Sequence, residues 1–571
     1  MGNDAWRMTM KNGRERNMGG FPRGRLVALV AAFLISADAA GTTPDAAAHI
    51  DGLLASGVHP RLRWERFTDF QEPLRALYLA QGSRPLWLDG GRPVKQASAA
   101  LECLRMADDQ GLNSSDYDAD LLGGWIEKLN DDRAASAEEV AQFEVAMSLA
   151  LMRYGSNLAR GRVHPRAAGF ALDVASKRLD LPALVQHLAR DPWPCEAIAG
   201  LESKLPLYRN LKAALPRYRG LAENNDVSAL ALPPKLSPGD RHGEVPALRK
   251  RLAALGFLWQ ESSSKEPEVY AGDLVEAVAR FQERHGLAPD GVIGKGTLAA
   301  LNVPPAARLR QIRLGLERLR WLPERFEGPF ILVNIPSFRL YGYGQDPERP
   351  EVSMNVVVGR SSGGHNTPVF HSDMTYVVFR PYWNLPRAIT VKEMLPGILR
   401  DPGYLARHNL ELVPSFGNGS QVYEPSLESL EMLSAGSLKL RQRPGPKNAL
   451  GLVKFAFPNN DNIYLHGTPS VNLFQRARRD FSHGCIRVQD PVGLAEFVLK
   501  REGETWTQER IEEAMNGAQS RTVTLKQPLP VYIYYSTVLA EPDGTVRFFE
   551  DIYGLDRVLE QLLEKGFPYP S

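Results

Sequence analysis

Ile463-Tyr464-Leu465-His466-Gly467-Thr468-Pro469 and, after a short connection, Ser482-His483-Gly484-Cys485-Ile486-Arg487-Val488 form the stretch that decides how the chain is read. It holds one cysteine and two histidines among residues that shape a tight backbone. A cysteine is a nucleophile only as the thiolate, so a neighbouring base or backbone donors must draw off its proton. His466 and His483 are the candidate bases, and spacing favours His466. It ends the apolar run Ile463-Tyr464-Leu465, as a strand end would. Cys485 opens a second apolar run nineteen residues later. A return of that length is expected to bring two strand ends together with imidazole facing thiol. Gly484 lacks a Cβ, so the amides of Gly484 and Cys485 are free to turn toward an oxyanion. The plain alternative is a buried structural cysteine flanked by satisfied histidines.

His466-Gly467-Thr468 followed by Ser482-His483-Gly484-Cys485-Ile486-Arg487 resembles the active-site signature of the L,D-transpeptidases, cysteine enzymes that cross-link peptidoglycan. The resemblance implies Cys485 as nucleophile and His466 as base, oriented by the carbonyl of Gly467. It implies loop-shaping and oxyanion roles for Ser482, His483 and Gly484. Arg487 either pairs with a substrate carboxylate or braces the loop through backbone carbonyls. Asn448 also matches the family pattern, without a role that the residues reveal. The implied reaction releases D-Ala from a tetrapeptide donor, passes through a thioester and makes 3→3 cross-links with acceptor stems. Acylation of Cys485 by carbapenems is implied as well. The alternatives are a cysteine amidase or carboxypeptidase acting on stem peptides, and a non-catalytic peptidoglycan-binding structural protein. No cofactor is implied, and no metal, because the histidines do not fall in zinc spacing.

At 571 residues the chain needs several cores. Lys+Arg of 68 against Asp+Glu of 66 nearly cancel, so no electrostatic nucleic-acid binder is expected. The runs Arg476 to Arg479 and Arg441 to Lys447 read as solvated surface. Three cysteines leave at least one thiol unpaired in the monomer. Cys485 is the expected free one, while Cys103 and Cys195 are either bridged or two buried helical thiols.

Residues 1–39 read as an export signal. Lys11, Arg14, Arg16, Arg23 and Arg25 precede an uncharged run from Leu26 to Ala37, with small residues following. The run is short for a membrane span; an uncleaved inner-membrane anchor is the alternative. Both place the protein in the periplasm. Residues 45–230 show three- and four-residue apolar spacing, as in Phe143, Met147, Ala150, Leu151 and Tyr154, and read as a helical scaffold domain. Residues 236–302 resemble a small three-helix peptidoglycan-binding domain, through Phe281-Gln282, His285-Gly286-Leu287 and the Asp290-Gly291 turn. Such a module either binds the polymer or props its neighbours.

From residue 329 to 571 the period changes to two, with β-type runs at Phe330 to Ile335, Arg339 to Tyr343, Val352 to Val358 and Thr375 to Phe379. This is the expected catalytic domain, interrupted by a lid insertion over about 383–447. Val531 to Ser536, Thr545 to Phe549 and a helix from Leu555 read as a C-terminal extension. Trp383 and Tyr464 are expected to line the donor groove, with Trp383 alternatively a core residue of the lid base. The fold class is thus multidomain α+β: helical scaffold, three-helix module, and β-rich catalytic domain with a lid.

Overall fold

The computed structural model describes residues 44–131, 135–172, 177–223, 228–259, 266–417, 419–503 and 506–566. The basic and apolar segment read as an export signal or anchor lies outside them. Among the described residues no helix is long and apolar enough to cross a membrane.

The scaffold is built around the helix Ala137–Arg160, which is buried on nearly every side from Val140 to Ala159. Ser136 and Glu139 start it with a reciprocal capping box. The helices Pro44–Ser56, Thr68–Ala80, Lys95–Arg105 and Leu181–Leu188 pack around it. Glu144 is buried inside this helix and accepts from the amides of Leu86 and Trp87 and from Tyr78. Burial raises its pKa to about 7 against the pull of those bonds. Cys103 and Cys195 form a disulfide between Lys95–Arg105 and Pro194–Ala199, which settles the pairing left open by the sequence.

The helices Val245–Ala254, Asp273–Arg284 and Lys295–Leu301 enclose a small separate core of Val245, Leu248, Leu252, Leu274, Val278, Phe281 and Ile293. Buried Gln282 accepts from the Gly291 amide and donates to the Val292 carbonyl, holding the Asp290-Gly291 turn in place. Gly291 has φ +69, the left-handed region that glycine enters without strain. The module is seated on its neighbour. His285 stacks on Phe281 at 3.8 Å and on Phe548 at 5.8 Å, and Arg547 lies 3.7 Å from Glu283. Burial lowers the His285 pKa to about 3, so the ring is neutral in this apolar stack.

The β-rich domain contains β1 (Phe330–Asn334), β2 (Arg339–Tyr343), β3 (Pro350–Gly359) and β4 (Phe370–Phe379). Three short lid strands follow: β5 (Trp383–Asn384), β6 (Leu410–Val413) and β7 (Lys439–Gln442). Then come β8 (Val453–Ala456), β9 (Leu465–His466), β10 (Asp480–Ser482), β11 (Ile486–Val488) and β12 (Arg521–Tyr534). The main sheet runs β10-β3-β11-β9-β8-β4-β12-β1-β2, and β2 also pairs with β3. That pairing closes a circuit of eight strands with β10 added along β3.

Two expectations change here. Val531 to Tyr534 belong to β12, which pairs in parallel with β1 and antiparallel with β4. The segment read as a C-terminal extension therefore starts inside the sheet, and only β13 (Val538–Ala540), β14 (Val546–Phe548) and the helix Leu555–Glu564 stand beyond it. The two basic runs are not simply solvated. Arg441 is buried against Glu411 and lies over the Tyr382 ring, and buried Arg479 donates to the carbonyls of Val356 and Phe338. Backbone carbonyls and one internal acid satisfy these guanidinium groups, so burial is affordable without solvent.

The lid has its own core of Leu385, Leu395, Ile398, Leu405, Leu412, Leu433 and Leu440. Its two ends are tied by buried Asn448, whose Nδ2 donates to the carbonyls of Pro381 and Arg443 and whose Oδ1 accepts from the Leu450 amide. That is the role its sequence context did not reveal.

Candidate active site

Strand alternation explains why the site residues share one face. Val377, Phe455, Leu465 and Ile486 are paired across β4, β8, β9 and β11 and point into the core, all fully buried. The next residue along each strand points the other way. Val378, Lys454, His466 and Arg487 form that second row, with Lys454 paired to His466 and His466 paired to Arg487.

The sequence placed imidazole opposite thiol. The strands are indeed neighbours, but their parallel register sets His466 beside Arg487. The Cys485 end of β11 lies beside Tyr464, whose carbonyl accepts from the Ile486 amide at 3.1 Å. The thiol and the imidazole are therefore diagonal neighbours on one face. Cys485 Sγ lies 3.5 Å from the Asn462 carbonyl. The Tyr464 ring lies 5.6 Å from the His466 ring.

His466 is buried, and its Nδ1 lies 2.6 Å from the Gly467 carbonyl. A carbonyl only accepts, so Nδ1 carries the proton and Nε2 of the neutral ring keeps its lone pair. Burial, the Arg487 and Lys454 charges, against the Gly467 bond, hold the His466 pKa down at about 3. Burial pushes the Cys485 thiol up, opposed by bonds from Tyr464 and by the charges of Lys454 and Arg487. The resting pair is thus neutral imidazole and neutral thiol.

The loop before Cys485 is held from three sides. Gly484 has φ +119, and a Cβ there would sit 3.2 Å from Ile463 Cδ1. The buried Thr367 hydroxyl accepts from the Gly359 amide at 2.8 Å and donates to the Gly484 carbonyl at 2.7 Å. Ser482 Oγ donates to the Cys485 carbonyl at 2.5 Å and accepts from the Gly484 amide at 3.1 Å. That last bond corrects an expectation. The Gly484 amide is spent inside the loop and does not point at an oxyanion position. The Cys485 amide, in contrast, meets no acceptor among the described residues.

Other expected residues fall differently. His483 Nε2 lies 2.9 Å from Glu393 Oε1 of the lid, and its ring meets His365 edge-on at 4.7 Å, so this nitrogen is committed to the lid rather than to an oxyanion. Arg487 braces no backbone carbonyl among the described residues, and its Nε is buried without an acceptor. Tyr464 flanks the thiol. Trp383 pairs through β5 with Gln442 and packs against the lid core, which is the lid-base alternative. Lys454, Thr367 and Glu393 escaped the sequence reading, because each reaches the site from a different strand, turn or lid helix. Among the described residues no group of three His, Cys, Asp or Glu is placed to hold a metal ion.

Comparison with known proteins agrees with this architecture. Residues 72–215 match the Scaffold domain, residues 241–301 the "Putative peptidoglycan binding domain", and residues 328–527 the L,D-transpeptidase catalytic domain of YkuD type. Residues 328–527 are thus similar to the L,D-transpeptidase catalytic-domain family, and residues 241–301, just before them, to a peptidoglycan-binding domain. It is 34% identical over 248 residues to a protein of Haemophilus influenzae named "Putative L,D-transpeptidase". That match covers 43% of this chain and spans about half (48%) of the relative. Two solved structures also align. One is an L,D-transpeptidase (residues 123-326) from Xylanimonas cellulosilytica, at 16% identity, 53% of this chain, 98% of that chain and TM-score 0.17. The other is a fused Zn-dependent amidase/peptidase/peptidoglycan-binding protein from Clostridium acetobutylicum, at 12% identity, 53% and 100% coverage and TM-score 0.15. Scores this low add nothing to the fold.

Proposed function

We propose that the protein is an L,D-transpeptidase that forms 3→3 peptidoglycan cross-links through a thioester on Cys485. The observation that carries this reading is the tautomer of His466: Nδ1–H is held by Gly467, which leaves Nε2 to act as base on the sheet face that Cys485 shares. The thiol proton passes to His466, and the thiolate sulfur attacks the carbonyl of the third stem residue. The Cys485 amide donates to the developing oxyanion, a contribution of roughly 10²–10³ in rate for one such donor. The C–N bond breaks, His466 returns the proton to the departing D-Ala amine, and a thioester remains. A side-chain amine of a second stem attacks this thioester, with His466 again taking the proton, and frees the sulfur.

The neutral resting state has a consequence. A ring whose pKa is about 3 holds a proton only fleetingly, so the thiolate forms when substrate arrives and not before. Peptidoglycan as substrate places the work outside the cytoplasm, in the periplasm if residues 1–39 act as export signal or anchor. Carbapenem acylation of Cys485 belongs to the same reading. Purified tetrapeptide muropeptides test it: dimers from wild type and none from Cys485→Ala support transfer. Tripeptide monomers alone mean that water resolves the thioester, and an unaltered substrate rejects the reading.

A further inference from the structure

Two cations straddle His466. The antiparallel ladder sets Lys454 of β8 on one side and the parallel ladder sets Arg487 of β11 on the other. All three side chains leave the sheet on the face opposite the buried row of Phe455, Leu465 and Ile486. Lys454 Nζ lies 4.0 Å from the centre of the Tyr464 ring, the residue that flanks the thiol. Among the described residues neither cation has a carboxylate partner, and Arg487 Nε is buried without an acceptor. Other buried arginines are matched by an acid, as Arg318 is by Asp556 and Arg441 by Glu411, or by backbone carbonyls, as Arg479 is by those of Val356 and Phe338. The acidic group that both cations face is the Cys485 thiol, which is neutral at rest, so in the resting site a bound anion is what completes this half-buried pair.

Size and position identify the anion. Adjacent strands are about 4.8 Å apart, so Lys454 and Arg487 stand roughly 10 Å apart at the backbone, with long side chains free to converge before His466. In a donor attacked at its penultimate carbonyl, the C-terminal carboxylate lies one residue past the reacting carbon, within reach of a side chain one or two strands from Cys485. We infer that Lys454 and Arg487 form a binding site for the C-terminal carboxylate of the donor's leaving residue. The site makes the enzyme select stems that end one residue beyond the attacked bond. This inference rests on the transpeptidase reading above and assigns the donor end that the reading leaves open. It also places the leaving amine, which is bonded to the same residue, beside His466.

The test uses the full chain and two tetrapeptide donors that differ only at the C-terminus, one a free acid and one an amide. Wild type is expected to favour the acid by about 10- to 100-fold in kcat/KM, the range of a charge-assisted hydrogen bond. In Lys454→Met and Arg487→Met that preference is expected to collapse toward unity, mainly through KM, and Lys454→Arg to restore most of it. Melting curves confirm that the variants fold, and Lys454→Arg keeps the test informative if Lys454→Met does not. A Lys454→Met enzyme that slows equally on acid and amide overturns the inference, because the lysine would then serve the thiol and not the carboxylate. Equal wild-type rates on both donors overturn it too while leaving the transpeptidase reading intact. Wild type inert toward both donors sinks that reading and the inference with it.

Discussion

Glu393 Oε1 of the lid lies 2.9 Å from Nε2 of His483, two residues before Cys485. The contact joins a π-helical turn, Thr390–Met394, to the nucleophile loop. Such turns are rare and gather at functional positions. Both groups are partly exposed, so the pair contributes only about 0–1 kcal/mol. Glu393→Gln should therefore leave the melting temperature nearly unchanged. It should raise hydrogen exchange across residues 387–413, read by mass spectrometry, and shift donor KM by up to about fivefold. Unchanged exchange in the lid would mean that the contact does not hold it.

The loop's geometry depends on Thr367. Replacing it by valine keeps the shape and strands the Gly359 amide and the Gly484 carbonyl, at a cost of roughly 1–3 kcal/mol for a buried group left unpaired. Thr367→Val should lower the urea midpoint and cut kcat more than KM, since the Cys485 amide moves with the loop. Tyr553→Phe removes a neighbouring bond to the Gly359 carbonyl and should give a milder version of the same loss.

Gly484→Ala tests the backbone directly. The left-handed φ of +119 and the approach to Ile463 both oppose a side chain. Folding should survive, because Ile463 Cδ1 is the end of a flexible side chain. Alkylation of Cys485 by iodoacetamide should change several-fold in rate, reporting a displaced thiol.

The disulfide between Cys103 and Cys195 closes a long loop of the scaffold, a constraint typically worth about 2–5 kcal/mol. Thiol titration of denatured protein should find one thiol before reduction and three after it. The double variant Cys103→Ala/Cys195→Ala should melt lower by several degrees yet retain turnover at moderate temperature, since the bridge belongs to the scaffold core and not to the core of the sheet.

Acid should destabilise the fold with a definite slope. His466 and His285 are held at about 3 and His59 at about 4, each mainly by burial, against about 6.5 in the unfolded chain. Between these limits the unfolded chain binds their protons and the folded one does not, so their stabilisation is lost as pH falls below about 6.5. Glu144, raised to about 7, acts in the opposite sense between its unfolded value and 7. From pH 4.5 to 6.5 the three buried histidines together outweigh the one buried glutamate, so these four groups make stability rise with pH. Melting temperatures should climb across that window, and His285→Phe, if it folds, should flatten the climb by about half, since it removes one of the two net proton equivalents.

What the sequence determined by itself is what depends on near neighbours in the chain. The two-residue alternation at Arg339–Tyr343 and the helical period around Phe143 to Tyr154 are local consequences of side chains that need one buried face. The parity that puts Leu465 on one face of the sheet and His466 on the other is equally local, and so is the left-handed backbone that Gly484 accepts without strain. Tertiary structure alone decided the rest, because it turns on ladder register and on chain crossings that no short window contains. Register put Arg487 rather than Cys485 beside His466 and brought in Lys454 from a strand twelve residues earlier. Chain crossings delivered Glu393 to His483 across 90 positions and Thr367 to Gly484 across 117. The same crossings buried Arg479 among carbonyls that its own basic run gave no sign of. A hydrogen bond between distant segments is fixed by how whole layers pack, and that packing is a property of the folded chain, not of any stretch within it.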